Sequence, residues 1–319
     1  MSLIKFHHFN PSTLNEAFEL LQKYGTDAKV IAGGVDLVNA LKHELISPKV
    51  LINLKTVSGL SEIIEDEKKG LSIGALVTIF QMKNHSLVRE RYPMLSQALD
   101  KIAVVPIQTM ATIGGNLCQN TRCLYYNQSA FWRKGKPSCF KMGGKICNAV
   151  PGSDHCHAVH QGDAAPILIA LGATAKIAGD GKERRVPLKD FFTGRGEKPN
   201  ILTPREILTE IEIPHPPSDL VSGYEKFSIR GAMDYPLAGV AVAIFSDRIM
   251  MVLNGVDSSP VEVEEIFTDS KRRKIELPMI EKLIQVAMNK VHPAPNTDTT
   301  PSHRKKMVGV LLRRLLERR

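Results

Sequence analysis

The sequence predicts an α+β chain in two parts: an α/β-and-sheet region over 1–216 and a sheet-plus-helices region over 217–319. Three observations carry this expectation. Short β-rich runs alternate with helical periodicity near the start, and hairpin-spaced strands followed by two long amphipathic stretches occupy the end. Between them Pro214, Pro216 and Pro217 punctuate the chain. Within the first part, a small α/β unit is expected over about 1–55 and a larger unit over 56–216, the latter carrying a cysteine-rich insertion over about 117–161.

A chain of 319 residues has room for two or three domains with substantial cores, and 43% hydrophobic and 24% charged residues are ordinary for a globular protein. No apolar run approaches the ~20 residues of a membrane span. The start MSLIKFHHFNPSTL lacks the apolar stretch of a signal peptide. A cytoplasmic protein with no membrane contact, whose thiols stay reduced, is expected. The net charge of +9 raises the question of nucleic acid, but aromatics are only 6% and much of the excess sits in Lys271–Lys274 and the tail from Arg304 to Arg319. A solvated helix face or a surface for a protein partner accounts for that charge more simply, so no nucleic acid is expected.

Element by element, a helix should run from Thr13 to about Tyr24, with Ala17, Leu20 and Leu21 on one face and Gly25 at its stop. A strand Ala28–Ala32 runs into Gly33-Gly34, a helix from Val35 to His43 follows, and Val50–Leu54 is the next strand. Two short strands are expected at Ser61–Glu65 and Leu71–Ala75. Thr78 should cap a helix to about Asn84, and Tyr92–Asp100 should form another. A second glycine turn is expected at Thr112-Ile113-Gly114-Gly115-Asn116. A helix Ala164–Leu171, a strand Ala173–Ala178, a hairpin turn at Gly179-Asp180-Gly181 and returning strands at Arg184–Leu188 and Ile207–Ile213 close the first part, with Phe191 and Phe192 as core anchors. The second part should hold strands Gly223–Ile229, Ala238–Phe245 and Ile249–Leu253, then helices Leu277–Val291 and Ser302–Glu317. In the last helix Val308, Leu311, Leu312, Leu315 and Leu316 form an apolar stripe for the domain core, leaving Arg313, Arg314 and Arg318 outside.

Two signals carry chemistry. The first is the pair of apolar–Gly-Gly turns. Glycines let backbone approach a diphosphate, and amides at a helix start point at its oxygens. Neither turn is the G-x-G-x-x-G fingerprint, and each alone reads equally as a tight turn. The second signal is that all five cysteines lie between Cys118 and Cys156, with Cys123, Cys139, Cys147 and Cys156 separated by fifteen, seven and eight residues. Disulfides suit neither an odd count nor a reducing compartment. Zinc could take these thiolates, with or without His155, His157 or His160, although tight C-x2-4-C knuckles are missing. An iron–sulfur cubane takes four thiolates and tolerates irregular spacing. Spacing leaves zinc and cluster both open.

The segments Ala32-Gly33-Gly34-Val35-Asp36-Leu37, Thr112-Ile113-Gly114-Gly115-Asn116, Lys226 to Ala238 (KFSIRGAMDYPLA) and Lys306 to Arg314 together resemble the FAD-binding medium subunits of the molybdenum hydroxylases, the xanthine dehydrogenase family. That resemblance implies a two-part FAD-binding domain of the PCMH type, followed by a C-terminal domain of the CO dehydrogenase flavoprotein type. In most of the family a Gly-Asp or Ser-Asp pair follows the Thr-Ile-Gly-Gly-Asn turn within a dozen or so residues. Here Gly162-Asp163 is delayed by roughly forty residues, and the insertion, with Cys-x-Tyr-Tyr-Asn-Gln at 123–128, resembles that of the 4-hydroxybenzoyl-CoA reductase beta subunits.

By that resemblance the cofactors are FAD and a [4Fe–4S] cluster, with Cys123, Cys139, Cys147 and Cys156 as ligands and Cys118 free. Lys29, Val30, Ile31, Ala32, Gly33, Gly34, Val35 and Asp36, with Thr112, Ile113, Gly114, Gly115 and Asn116, would wrap the FAD diphosphate and its neighbours. Asp163 would hold part of the cofactor, and Lys226 would lie near the isoalloxazine, where a cation favours reduced flavin. Ile102 and Leu202 would be apolar flavin contacts. On the residues alone, Asp163 reads as a helix N-cap and Lys226 as a surface strand residue. The implied partners are a molybdopterin-bearing large subunit, a [2Fe–2S] small subunit and ferredoxin or a similar carrier, in a dimer of heterotrimers. The implied activity is an oxidoreductase subunit, with substrate turned over elsewhere. Electrons would run toward reductive removal of a phenolic hydroxyl from an aromatic CoA thioester, or else oxidatively to NAD as in xanthine dehydrogenase. Two readings outside this resemblance are a zinc-stapled binding module for nucleic acid or protein, and a self-sufficient flavin oxidase.

Overall fold

Capping residues set the first elements. Thr13 accepts a hydrogen bond from the Glu16 amide and starts helix Leu14–Tyr24, which Gly25 ends at φ 51°. That helix packs Ala17 and Leu21 onto a small parallel sheet of β1 (His7–Phe9), β2 (Ala28–Ile31) and β3 (Val50–Asn53), in the order β1-β3-β2. Helix Val35–Lys42 follows β2 directly. The computed structural model describes residues 4–179, 181–267 and 275–318. Asp180 of the expected hairpin turn, the basic run Lys271–Lys274 and the terminal Arg319 lie outside the described residues.

The second layer is a five-stranded antiparallel sheet built from β4 (Ile63–Asp66), β5 (Gly70–Gly74), β6 (Thr174–Gly179) and β7 (Lys182–Pro187), a small hairpin of β8 (Phe192–Arg195) and β9 (Lys198–Asn200) lying apart, and β10 (Glu206–Ile213). Its order is β4-β5-β10-β6-β7. Thr78 and Gln81 form a capping box for helix Ile79–Asn84. Helix Pro93–Asp100 matches expectation, while the sequence reading missed the short helix Ser86–Arg91 before it. The second glycine turn also differs from expectation: it opens a short helix, Ile113–Leu117, capped by the Thr112 hydroxyl.

The third layer is an antiparallel sheet of β11 (Val221–Phe227), β12 (Ala238–Ile244), β13 (Arg248–Asn254) and β14 (Val261–Ile266), in sequence order. The strand β14 was not expected, because VEVEEI is acidic on its open face. Helices Leu277–Lys290 and Pro301–Glu317 cover one side of this sheet, burying Ile280, Leu283, Val308, Leu311, Leu312 and Leu316.

Helix Ala164–Ala170 has every residue buried and joins these layers. Ile167 and Leu168 share one core with Ile73, Ile177 and Ile211 of the five-stranded sheet, and with Ala241, Ala243 and Val252 of the C-terminal sheet. Each such aliphatic side chain contributes about 1.5–3 kcal/mol of burial. This fixes the helix start, Asp163, against β11. One tail residue departs from the solvated-face reading: Arg304 is 1% exposed and donates to the carbonyls of Leu237 and Ala294, at 2.9 and 2.7 Å, and of Gly255.

Candidate functional site

The first glycine turn sits at a surface lip. Lys29 and Val30 are exposed, and residues 31–38 are half-buried. Gly34 occupies the left-handed region at φ 74° and is the N-cap of helix Val35–Lys42. Among the described residues the amides of Gly33, Gly34, Val35 and Asp36 have no partner within the chain, as the geometry of a helix start requires. A Cβ on Gly33 would lie 1.8 Å from the Met110 carbonyl oxygen, so the first turn presses against the segment leading into the second.

The second turn is differently disposed. Its amides are engaged inside the protein: Ile113 to Val77 O, Gly114 to Ala75 O, Gly115 to the Thr112 hydroxyl and Asn116 to Thr112 O. The Asn116 side chain accepts from the Ala164 amide at 3.2 Å, tying this turn to the buried helix. Thr112 and Ile113 are buried as well. What the segment shows is a brace between the first turn and Asp163, with few open amides.

Asp163 stands at the N-cap position, yet its side chain makes no capping bond. It accepts from the Tyr224 hydroxyl at 2.7 Å and from Lys226 Nζ at 3.2 Å. Lys226 also donates to the Lys101 and Asp234 carbonyls at 3.0 and 2.8 Å. The two paired side chains are only 7% and 6% exposed, so Lys226 is not a surface strand residue. Burial pushes the Asp163 carboxyl above its ordinary range, and the Lys226 charge and the Tyr224 hydroxyl act against that shift. Burial and the Asp163 charge hold the Tyr224 phenol well above its usual range. Asn254, fully buried, donates to Gly162 O at 3.0 Å, and a Cβ on Gly239 would strike both Asn254 and Tyr224. Ile102 is buried in the main core and Leu202 packs against it.

The cysteine loop is fastened on two sides. Toward the N-terminal unit, Asp36 accepts from the Asn120 amide at 2.9 Å and from Arg122 at 2.8 Å, and Arg122 lies 3.9 Å over the Tyr235 ring. Arg133 donates to the His43, Glu44 and Gln128 carbonyls, and Tyr126 to the Leu45 carbonyl. Toward the rest of the chain, Cys156 accepts at its carbonyl from the Gly196 amide and the Ser258 hydroxyl, and its own amide donates to Glu197. Lys141 donates to Asn120 Oδ1, Thr121 O, Thr121 Oγ1 and Gly196 O at 2.7, 2.9, 2.5 and 3.0 Å.

Cys139, Cys147 and Cys156 are buried and Cys123 half-buried. These four lie near enough for their charges to act on one another: Cys147 and Cys139 on Cys123, and Cys123 and Cys147 on Cys156. Desolvation pushes the Cys156 thiol up to about 11. Cys118 stands apart, packed against the main core, and burial alone pushes its thiol up to about 12. Among the described residues no three His, Cys, Asp or Glu side chains are grouped closely enough to hold a metal ion. His157 bonds Ser153 at 2.7 Å and His155 bonds Asp154 at 2.7 Å. His160 is buried edge-on to Phe192 with neither ring nitrogen partnered, and burial pushes it down to about 4.

The sequence reading missed Arg122, Lys141, Tyr224 and Asn254. Only Tyr224 carried a signal, since it lies two residues before Lys226 and shares its strand face. A cavity of about 260 Å³ opens beside Arg122, Cys123, Gln161, Asp234 and Tyr235. A larger one, about 630 Å³, lies away from all these residues, between Tyr92 and the prolines at 216–217. No helix among the described residues is long and apolar enough to cross a membrane.

Residues 4–216 match the family described as the FAD binding domain in molybdopterin dehydrogenase. The chain is 34% identical over 252 residues to the aldehyde oxidoreductase FAD-binding subunit PaoB of Escherichia coli (strain K12), covering 74% of this chain and 77% of that protein. It is 28% identical over 319 residues to the carbon monoxide dehydrogenase medium chain of Afipia carboxidovorans, covering 98% and 96%. Its fold superposes on a chain of the Cu,Mo-CO dehydrogenase crystal structure with a TM-score of 0.78 at 25% identity, covering 100% of this chain and 98% of that one.

Proposed function

This chain belongs to the family of FAD-binding subunits of the molybdenum hydroxylases, and on that premise we propose that it is an electron-transfer subunit carrying both FAD and a [4Fe–4S] cluster. FAD, when bound, takes two electrons and releases them singly, which suits it to a neighbour that moves one at a time. The residues fit the flavin. The unpartnered amides of Gly33 to Asp36 at a helix start suit a diphosphate. Lys226, held by Asp163, offers a fixed cation in a nearly dry site. Asp163 keeps that ammonium from turning elsewhere, and Tyr224 keeps Asp163 in place.

What supports the cluster is the placement of the thiols: Cys139, Cys147 and Cys156 are buried and Cys123 half-buried along one loop, while Cys118 packs against the main core. A single zinc ion, about 2.3 Å from each sulfur, would draw four thiolates into a tetrahedron with edges of roughly 4 Å. Among the described residues no such donor group is assembled, and metal analysis decides between zinc and cluster. Partners would be a molybdopterin-bearing large subunit and a [2Fe–2S] small subunit, assembled as a dimer of heterotrimers. A ferredoxin-like carrier would deliver electrons toward a reductive dehydroxylation of the 4-hydroxybenzoyl-CoA reductase type. A second reading is oxidative turnover ending on NAD; the names of the relatives, a carbon monoxide dehydrogenase and an aldehyde oxidoreductase, support its oxidative direction.

Metal, sulfide and flavin analysis of the purified chain tests the proposal. Iron and sulfide with FAD are expected, with Cys147→Ser lowering iron and Cys118→Ser leaving it. Stoichiometric zinc without flavin would establish the binding-module reading instead. Equal iron loss in both variants would show the ligands misassigned, and substrate oxidation by the isolated chain with oxygen would end the partner-dependent account.

A further inference from the structure

Phe131 is 89% exposed, more open than any other large apolar side chain among the described residues. A single exposed apolar residue is ordinary, but this one stands on a fixed base. Its helix, Ala130–Lys134, starts at the Ser129 hydroxyl, and behind it the buried Arg133 donates to the His43 and Glu44 carbonyls at 3.2 and 2.7 Å. Trp132 leans on Tyr125, with ring centroids 6.1 Å apart, and carries the Lys136 ammonium 5.3 Å from its ring. The strip 143–148 is fastened alongside: the Phe140 amide donates to Ile146 O and the Asn148 side chain to Pro137 O, both at 3.0 Å. Lys145 and Ile146 are exposed on that strip.

Charge on this face has one sign. Residues 101–153 contain no Asp or Glu, against 33 in the whole chain. Of the cations in that stretch, Lys101 pairs with Glu225 and Arg122 with Asp36, while Arg133 and Lys141 are engaged by uncharged oxygens inside the protein. Lys134, Lys136 and Lys145 remain at the surface, and among the described residues none of them meets a carboxylate.

We propose that Phe131, ringed by Lys134, Lys136 and Lys145, is a docking surface for a small protein with an acidic face, the ring entering an apolar pocket of the partner and the lysines meeting carboxylates around it. A rigidly held aromatic loses little freedom on binding and suits the centre of a small interface. Unpaired charges of one sign around it steer an oppositely charged partner and give a contact that forms and releases quickly. An obligate subunit contact would be larger and more apolar. Single-stranded nucleic acid stacks on successive open rings, and here Trp132 is already engaged. That the partner is an electron carrier rests on the function proposed above; the buried Cys139 and Cys147 lie one position inward of the exposed Ser138 and Ile146.

The test is calorimetric titration of the full chain with FAD, using an oxidised ferredoxin and an oxidised flavodoxin as acidic probes, at about 0.05 and about 0.3 M salt. Binding of at least one, severalfold weaker at the higher salt, is expected. Phe131→Ala should weaken it about tenfold, and Lys134→Glu with Lys136→Glu should abolish the salt dependence. Absence of binding, or wild-type affinity in both variants, overturns the proposal. If Phe131→Ala fails to retain FAD, the charge variant decides alone. Binding to oligothymidylate or to phosphatidylglycerol vesicles that Phe131→Ala removes would reassign the face and overturn it, as would a Phe131→Ala chain that no longer assembles with the large and small subunits. Zinc without flavin in the wild type would end the function reading, and the same titrations would still judge the face.

Discussion

Replacing Lys226 by methionine removes the cation from a pair in which both side chains are almost fully enclosed, leaving Asp163 facing Tyr224 alone. Deleting one partner of a buried pair costs about 3–5 kcal/mol. Asp163 has an escape, because it can take up a proton, and each pH unit is worth about 1.4 kcal/mol of that escape. The sign follows from its shift. The folded carboxyl already titrates above 3.8, so in that window the folded protein holds more protons than the unfolded one, and the group's contribution to stability falls as pH rises through it. Without Lys226 the strongest influence lowering that pKa is gone, and the window extends upward. The variant should therefore lose little at pH 5 beyond its bonds to the Lys101 and Asp234 carbonyls, and most at pH 8. Urea midpoints by far-UV circular dichroism at both pH values, for Lys226→Met, Asp163→Asn and the double variant, give the cycle. A coupling of about 2 kcal/mol at pH 8 is expected. Equal losses at both pH values, or additivity within about 0.5 kcal/mol, would refute the buried pair as the organising contact.

Two further outcomes follow from contacts with little room to relax. Gly33→Ala puts a methyl 1.8 Å from a backbone oxygen that cannot rotate away, so it should cost about 1–3 kcal/mol and lower bound FAD in purified protein. Unchanged FAD content and melting would show that the two turns do not press together. Arg304→Met leaves the carbonyls of Leu237, Ala294 and Gly255 without their donor, at about 1–3 kcal/mol for each one left unsatisfied. A drop in melting temperature of several degrees is expected by calorimetry, and a wild-type value would contradict the anchor.

Local signals made the element boundaries readable. Thr13 and Thr78 cap the helices they announce, and Gly25 ends one. The fate of the second glycine turn was also within reach: Thr112 precedes Gly115 at the spacing of an N-cap, and a capped helix start uses its own amides. Arg304 could have been found too, since it lies four residues before Val308 on the apolar stripe. Long-range placement left no local trace. Nothing around Lys141 says that its carbonyl partner lies at Gly196, and nothing near Asp36 says that its carboxylate turns to Arg122 in the cysteine loop. Position 163 read alone as a cap, because the residues that claim its side chain are some sixty positions away on β11.

The two-sided fastening of the cysteine loop also orders events during synthesis. Its first footing, Asp36 to Leu45, belongs to the unit that leaves the ribosome earliest, so Arg122, Tyr126 and Arg133 emerge onto a surface already folded. Its second footing comes late. Gly196 and Glu197 follow Cys156 by about forty residues, and Ser258 by about a hundred. Three thiols can gather while the chain is still growing, but the surroundings of the fourth wait for the turn after β13 to be made. Closure of the loop is thereby set late in synthesis, and a truncated or stalled chain presents an open set of thiols in place of a closed one.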